Sequence, residues 1–93
     1  MTKKFVSERL KARVVCDFPE PGSAENAFDL LAQVSDSERI QAAIVFFARG
    51  DYRLIQDGVA LAGIDWRDVL MRGVLAHEGW ELELDRELGP PVN

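Results

Sequence analysis

The chain has 93 residues, with 11 Lys+Arg against 16 Asp+Glu, a formal net charge of −5, one cysteine, one histidine and 47% hydrophobic residues. That balance fits a single small globular domain over 1–93 and excludes the collagen-like, low-complexity and disordered classes. A chain this short buries only roughly 60–65% of the surface its unfolded form exposes, so modest stability is expected and a second domain has no room.

The lone Cys16 cannot form an internal disulfide, which points to a reducing, cytoplasmic home. The longest apolar run, Ala42 to Ala48, falls far short of the ~20 residues that span a bilayer. Ser7, Glu8, Arg9 and Lys11 interrupt the N-terminal segment, which therefore does not read as a secretory signal.

Along the chain, Leu10, Ala12, Val14, Cys16 and Phe18 alternate with Lys11, Arg13, Val15 and Asp17, and period two reads as a short N-terminal strand. Ser7 to Arg13 would also make a helical turn or two. Residues 1–22 are accordingly expected to be an extended, basic segment, closed by Pro19-Glu20-Pro21-Gly22. Ser23 then looks like an N-cap, and Ala24, Ala27, Phe28, Leu31 and Val34 follow at helical spacing with Glu25, Asn26, Asp29 and Gln33 opposite. Ser35-Asp36-Ser37-Glu38 matches a capping box for a helix reaching Arg49. That helix is apolar on more than one side, through Ile40, Ala43, Ile44 and Phe47 and through Ala42, Val45 and Phe46, so it should be central, with Gly50 ending it.

Two shorter helices share an opening, Asp51-Tyr52-Arg53 and Asp65-Trp66-Arg67, each with an aspartate where an N-cap is wanted and a glycine just before it. The first runs from Tyr52 to Ala62 and carries Gly58 in its middle, where glycine costs about 1 kcal/mol relative to Ala and often marks close packing. The second runs from Trp66 to Gly73. In the last segment Trp80, Leu84 and Leu88 fit a helix, whereas Trp80, Leu82 and Leu84 alternating with acids fit a strand. The stop signature Leu88-Gly89-Pro90-Pro91 favours the helix. Residues 90–93 are expected to be a mobile tail. The expected fold is mainly α, a compact bundle of four to five short helices.

Charge is segregated: residues 1–16 carry +4, 17–38 carry −6, 39–73 carry +1 and 78–93 carry −4. The basic end should therefore lie against acidic segments, within one chain or between chains. Net acidity disfavours generic nucleic-acid binding, which depends on neutralising phosphates.

Chemistry is sparse. Cys16 and His77 are the only candidates for a nucleophile and base, and Cys16 falls among the apolar positions of the expected strand, where a thiol is inert. One His and one Cys cannot build a soft-metal cluster, and the seven glycines form no phosphate loop. No enzyme activity, metal or cofactor is expected. Residues 52–73 offer an alternative, a helix-turn-helix DNA-binding regulator that would bury Ile64 and Val69 and present Arg67 and Arg72, with Asp65 and Asp68 opposing it. The favoured expectation is an acidic, non-catalytic protein-interaction module: an adaptor, an assembly subunit, an inhibitor of the immunity type, or a self-associating protein. Tyr52, Arg53, Trp66, Arg67 and Trp80 combine apolar area with guanidinium groups and are the expected partner-binding residues.

Overall fold

A computed structural model of the chain describes residues 6–34 and 37–89. Five helices follow in order: α1 Glu8–Asp17, α2 Ser23–Val34, α3 Glu38–Ala48, α4 Tyr52–Arg72 and α5 Trp80–Leu88. No strand forms among the described residues. The mainly α reading is correct, and Glu8–Asp17 is a helix where a strand or extended chain was expected; residues 1–5 of that segment lie outside the described residues. Val6, Leu10, Val14 and Phe18 are the buried positions of this region. Their spacing of four is one face of a helix, and every second member of the alternating set falls on it by coincidence. The members in between, Ala12 and Cys16, are exposed. Residues 90–93, expected to be a mobile tail, lie outside the described residues.

Helix boundaries follow the local capping chemistry. The hydroxyl of Ser7 accepts from the Leu10 N–H at 3.3 Å and starts α1. α2 begins at Ser23 itself, one residue earlier than a Ser23 cap would place it. Ser35 lies outside the described residues, and the cap of α3 is Ser37, which accepts from the Ile40 N–H at 3.4 Å. Glu38 is therefore the first residue of α3 and its carboxylate goes elsewhere. α3 ends with Arg49 and Gly50 both at positive φ.

The two helices expected over 52–73 are arms of one element bent at Asp65, whose φ of −151° and ψ of 90° are not helical. The Asp65 carboxylate accepts from the Arg67 and Asp68 N–H groups at 3.1 and 3.4 Å, so it caps the second arm as its sequence position implied. Both arms pack on α3. A Cβ at Gly58, in the first arm, would stand 2.9 Å from the Ile44 side chain. At Gly73, which ends the second arm, it would stand 2.4 Å from the Ala43 carbonyl oxygen and 2.5 Å from the Ala43 Cα. A straight helix would hold positions 58 and 73 about 22 Å apart at 1.5 Å per residue, so both can meet adjacent residues of α3 only because the chain turns back.

The core lies where α3 is covered on all sides. Ala42, Ala43, Ile44, Val45 and Ala48 of α3 are fully buried with Leu10, Ala27, Leu31, Ile55 and Leu75. The central position expected for this helix is thus correct. Gln41 is the one polar residue in the core among those described. Its amide donates to the Leu31 carbonyl at 3.2 Å, which keeps it from being a buried unsatisfied group.

One end of the bundle is closed by charge. The Arg9 guanidinium forks onto Glu38 at 2.8 and 2.6 Å, and its remaining nitrogen donates to Asp85 at 2.7 Å and to the Gly89 carbonyl at 2.8 Å. Ser7 donates to the same Glu38 carboxylate at 2.5 Å. The basic N-terminal region thus docks within its own chain on both acidic segments, tying α1 to α3 and α5. Arg9 has a side-chain exposure of only 9%, so its desolvation is offset by four charge-assisted or carbonyl bonds.

Two stability predictions follow from this packing. Gly63 is helical with nothing within 4 Å of an added Cβ, so Gly63→Ala should stabilise by about 0.5–1 kcal/mol. At Gly58 the same gain competes with displacement of Ile44, whereas at Gly73 the obstruction is backbone, so Gly73→Ala should cost about 3 kcal/mol. Urea titration should give the order Gly63→Ala, wild type, Gly58→Ala, Gly73→Ala; a Gly73→Ala variant as stable as wild type would refute the close approach.

The Arg9 fork and the Ser7 bond hold the Glu38 carboxyl below its usual 4.5, against the opposing effect of burial. A lowered folded-state pKa contributes stability that is complete above the unfolded value and is lost as pH falls through the folded one. Wild type should therefore exceed Glu38→Gln in stability at pH 7, and the gap should narrow as pH falls below the usual carboxylate value and through the lowered folded one. A pH-independent gap in urea titrations would reject the clamp's charge as its cause.

Candidate interaction surfaces

The bend in α4 brings large apolar side chains to the surface. Ile64 is 85% exposed and Trp66 is 47% exposed on either side of Asp65. The Arg67 guanidinium lies 5.3 Å from the centre of the Trp66 ring, holding the indole by a cation–π contact. Trp66 also forms one wall of a groove of about 310 Å³, with Val34, Ile40 and Ala62 as the others. Asp65 caps the second arm through two backbone bonds at the bend, directly between these side chains.

The five residues expected to bind a partner do not form one patch. Tyr52 starts α4 beside the C-terminal end of α3, and its ring meets Phe18 edge-on at 6.5 Å. It is a half-buried packing residue, and the adjacent Arg53 is exposed. Trp66 and Arg67 lie near Ile40, at the opposite end of α3, about 16 Å away along an 11-residue helix. Trp80 is at that end too but half-buried, with the Arg39 guanidinium 4.3 Å above its ring. The same guanidinium donates twice to the Leu75 carbonyl, at 2.9 and 2.7 Å. Arg39 and Trp80 therefore seat the connection between α4 and α5 on α3. Trp66 with Arg67 is the pair that the structure brings together at an exposed site.

Two exposed apolar residues escaped the sequence reading. Met71 is 66% and Val74 62% exposed, on the returning arm of α4 and just after it. Their positions follow from the bend, and a lone methionine or valine near a helix end carries no signal of its own.

Cys16 is exposed on α1, which corrects its expected place among buried positions; the helix puts Val14 and Phe18 inside instead. His77 is exposed between α4 and α5. Among the described residues no group of three or more His, Cys, Asp or Glu side chains could hold a metal ion. No described helix is long and apolar enough to cross a membrane. In the helix-turn-helix reading Val69 is buried as that pattern requires, but Ile64 is not. Comparison with models of known protein families, with curated proteins and with solved structures found no match to this chain.

The two tryptophans should differ in solvent access. With Trp80→Phe, leaving Trp66, iodide should quench fluorescence strongly; with Trp66→Phe, leaving Trp80 under Arg39, quenching should be several-fold weaker. Equal quenching constants would contradict the exposure of the bend.

Proposed function

We propose that this chain is a small, acidic, non-catalytic protein-interaction module, and that the bend of α4 is its principal contact surface. The observation that carries the reading is the adjacent exposure of Ile64 and Trp66 on either side of the capping Asp65. Exposed apolar clusters on a small monomer are costly in solubility and commonly mark contact sites, and Trp beside Arg is the pairing enriched at energetic hot spots. Trp66 and Arg67 supply such an anchor, with the groove formed by Val34, Ile40 and Ala62 beside it. An adaptor, an assembly subunit and an inhibitor would all use a surface of this kind, and so would a self-associating chain.

Native mass spectrometry of the protein recovered gently from its own host tests the proposal. The expected result is a stoichiometric complex, with a heterologous protein or a second copy, that is lost in Ile64→Asp and in Trp66→Ala while circular dichroism remains unchanged. Truncating a central hot-spot tryptophan should cost about 2 kcal/mol of binding, or roughly 30-fold in Kd. A complex indifferent to both substitutions would reject this surface. Salt-sensitive retention on duplex DNA that disappears on charge reversal of Arg67 and Arg72 would replace the proposal with the regulator reading.

A further inference from the structure

A second groove opens on the other side of the returning arm, and both described non-glycine residues with positive φ line it: Arg49, at 49°, and Val74, at 57°. A β-branched residue in that conformation is strained, and strain of this kind clusters at sites of function. The local cause is visible. The second arm ends in a Schellman motif, with the Val74 N–H donating to the Met71 carbonyl at 3.2 Å and the Leu75 N–H to that of Leu70 at 2.8 Å. Glycine normally takes the left-handed position of this motif, but here the glycine is spent one residue earlier, at 73, against Ala43. Valine is left in the strained position with its side chain turned to solvent.

The groove has a volume of about 320 Å³ and is walled by Phe46, Phe47, Arg49, Arg72, Gly73 and Val74. Two guanidinium groups face it and no carboxylate lines it. Arg72 is anchored through its Nε to Asp68 at 3.0 Å, which leaves its two terminal nitrogens free, and its guanidinium lies 5.9 Å from the Phe47 ring centre. Arg49 is exposed and has no ion pair among the described residues. An adjoining cavity of about 330 Å³ shares Phe46, Arg49 and Val74 and adds Arg13, Glu83 and Glu87. Arg13 is likewise held through Nε, by Asp17 at 3.2 Å, with its guanidinium 5.0 Å over Phe46. Of the two acids there, Glu83 is already bonded to Arg86. The positive, aromatic half of the surface is therefore the part between Arg49 and Arg72.

We infer that this groove is a second docking site, which takes a segment of another protein carrying an Asp or Glu next to an apolar side chain. The carboxylate would lie between the free nitrogens of Arg72 and the Arg49 guanidinium, where charge-assisted bonds are strongest. The apolar neighbour would cover Val74 and the exposed parts of Phe46 and Phe47. Charge complementarity selects this occupant over a basic or neutral segment, and the site is separate from the bend at Ile64 and Trp66.

The test is selection of a displayed library of random short peptides against the full chain carrying Ile64→Asp, which removes the bend as a competing surface, followed by titration of the enriched peptides in synthetic form against this chain and wild type. Enriched sequences should share an acidic residue beside an apolar one. Their affinity should fall about tenfold or more in Arg49→Gln/Arg72→Gln and remain unchanged in Ile64→Asp. Val74→Gly separates strain from structure: it should raise Tm by roughly 4 °C or more while weakening the same peptides. No enrichment, enrichment of neutral or basic sequences, or affinity untouched by the double substitution would each overturn the inference.

Discussion

The contact between Gly73 and the backbone of Ala43 is the constraint on which the rest of the molecule depends. With a Cβ at position 73 the second arm of α4 could not lie on α3, because the obstruction is main chain and cannot rotate away. That contact closes the cover around Ala42 to Val45 and fixes where α4 ends. It also takes the glycine that the helix terminus would otherwise use, so the left-handed residue is Val74. A packing requirement inside the core is thereby converted into a strained valine on the surface. The bend at Asp65 is the other half of the same arrangement. A turn tight enough to return the chain to α3 leaves its outer corner uncovered, and Ile64 and Trp66 occupy that corner.

Charge closes the end of the bundle that apolar packing leaves open. α5 buries only Leu84 fully and would be weakly held by burial alone. Arg9 joins it to α1 and α3 through Asp85, Glu38 and the carbonyl that follows α5. An exposed pair would contribute little here, but a guanidinium this shielded from solvent, with a bidentate partner and two further acceptors, falls in the class whose disruption is costly. The segregation of charge along the chain is therefore expressed as an internal bond between its two ends.

Much of this was legible in the sequence, and what was not has identifiable causes. The buried stripes of α2 and α3 are plain because their apolar residues recur at three and four with polar residues between. The aspartates at 51 and 65 announce their caps because the chemistry is local. In α1 every fourth residue is apolar and, by accident, so are Ala12 and Cys16, which is enough to imitate a strand. Glu38 sits three residues after one serine and one after another, and only the tertiary pull of Arg9 shows that it is not a capping-box residue. Residue type did not separate exposed from packed aromatics: Trp66 is exposed, whereas Tyr52 and Trp80, of the same kind and also beside charged groups, are half-buried. The groove between Arg49 and Arg72 was invisible, because it joins residues 23 positions apart through a reversal that no local pattern encodes.

The return of α4 on itself is the claim to test most directly, and a distance across it decides the matter. Nitroxide labels at positions 53 and 71, both exposed, in a Cys16→Ser background would report it by pulsed electron paramagnetic resonance. An unbroken helix would hold these positions about 27 Å apart along its axis. A narrow distribution centred well below that value is the result expected from arms folded on α3, whereas a distribution centred near the straight-helix length would contradict the fold-back and with it both proposed surfaces.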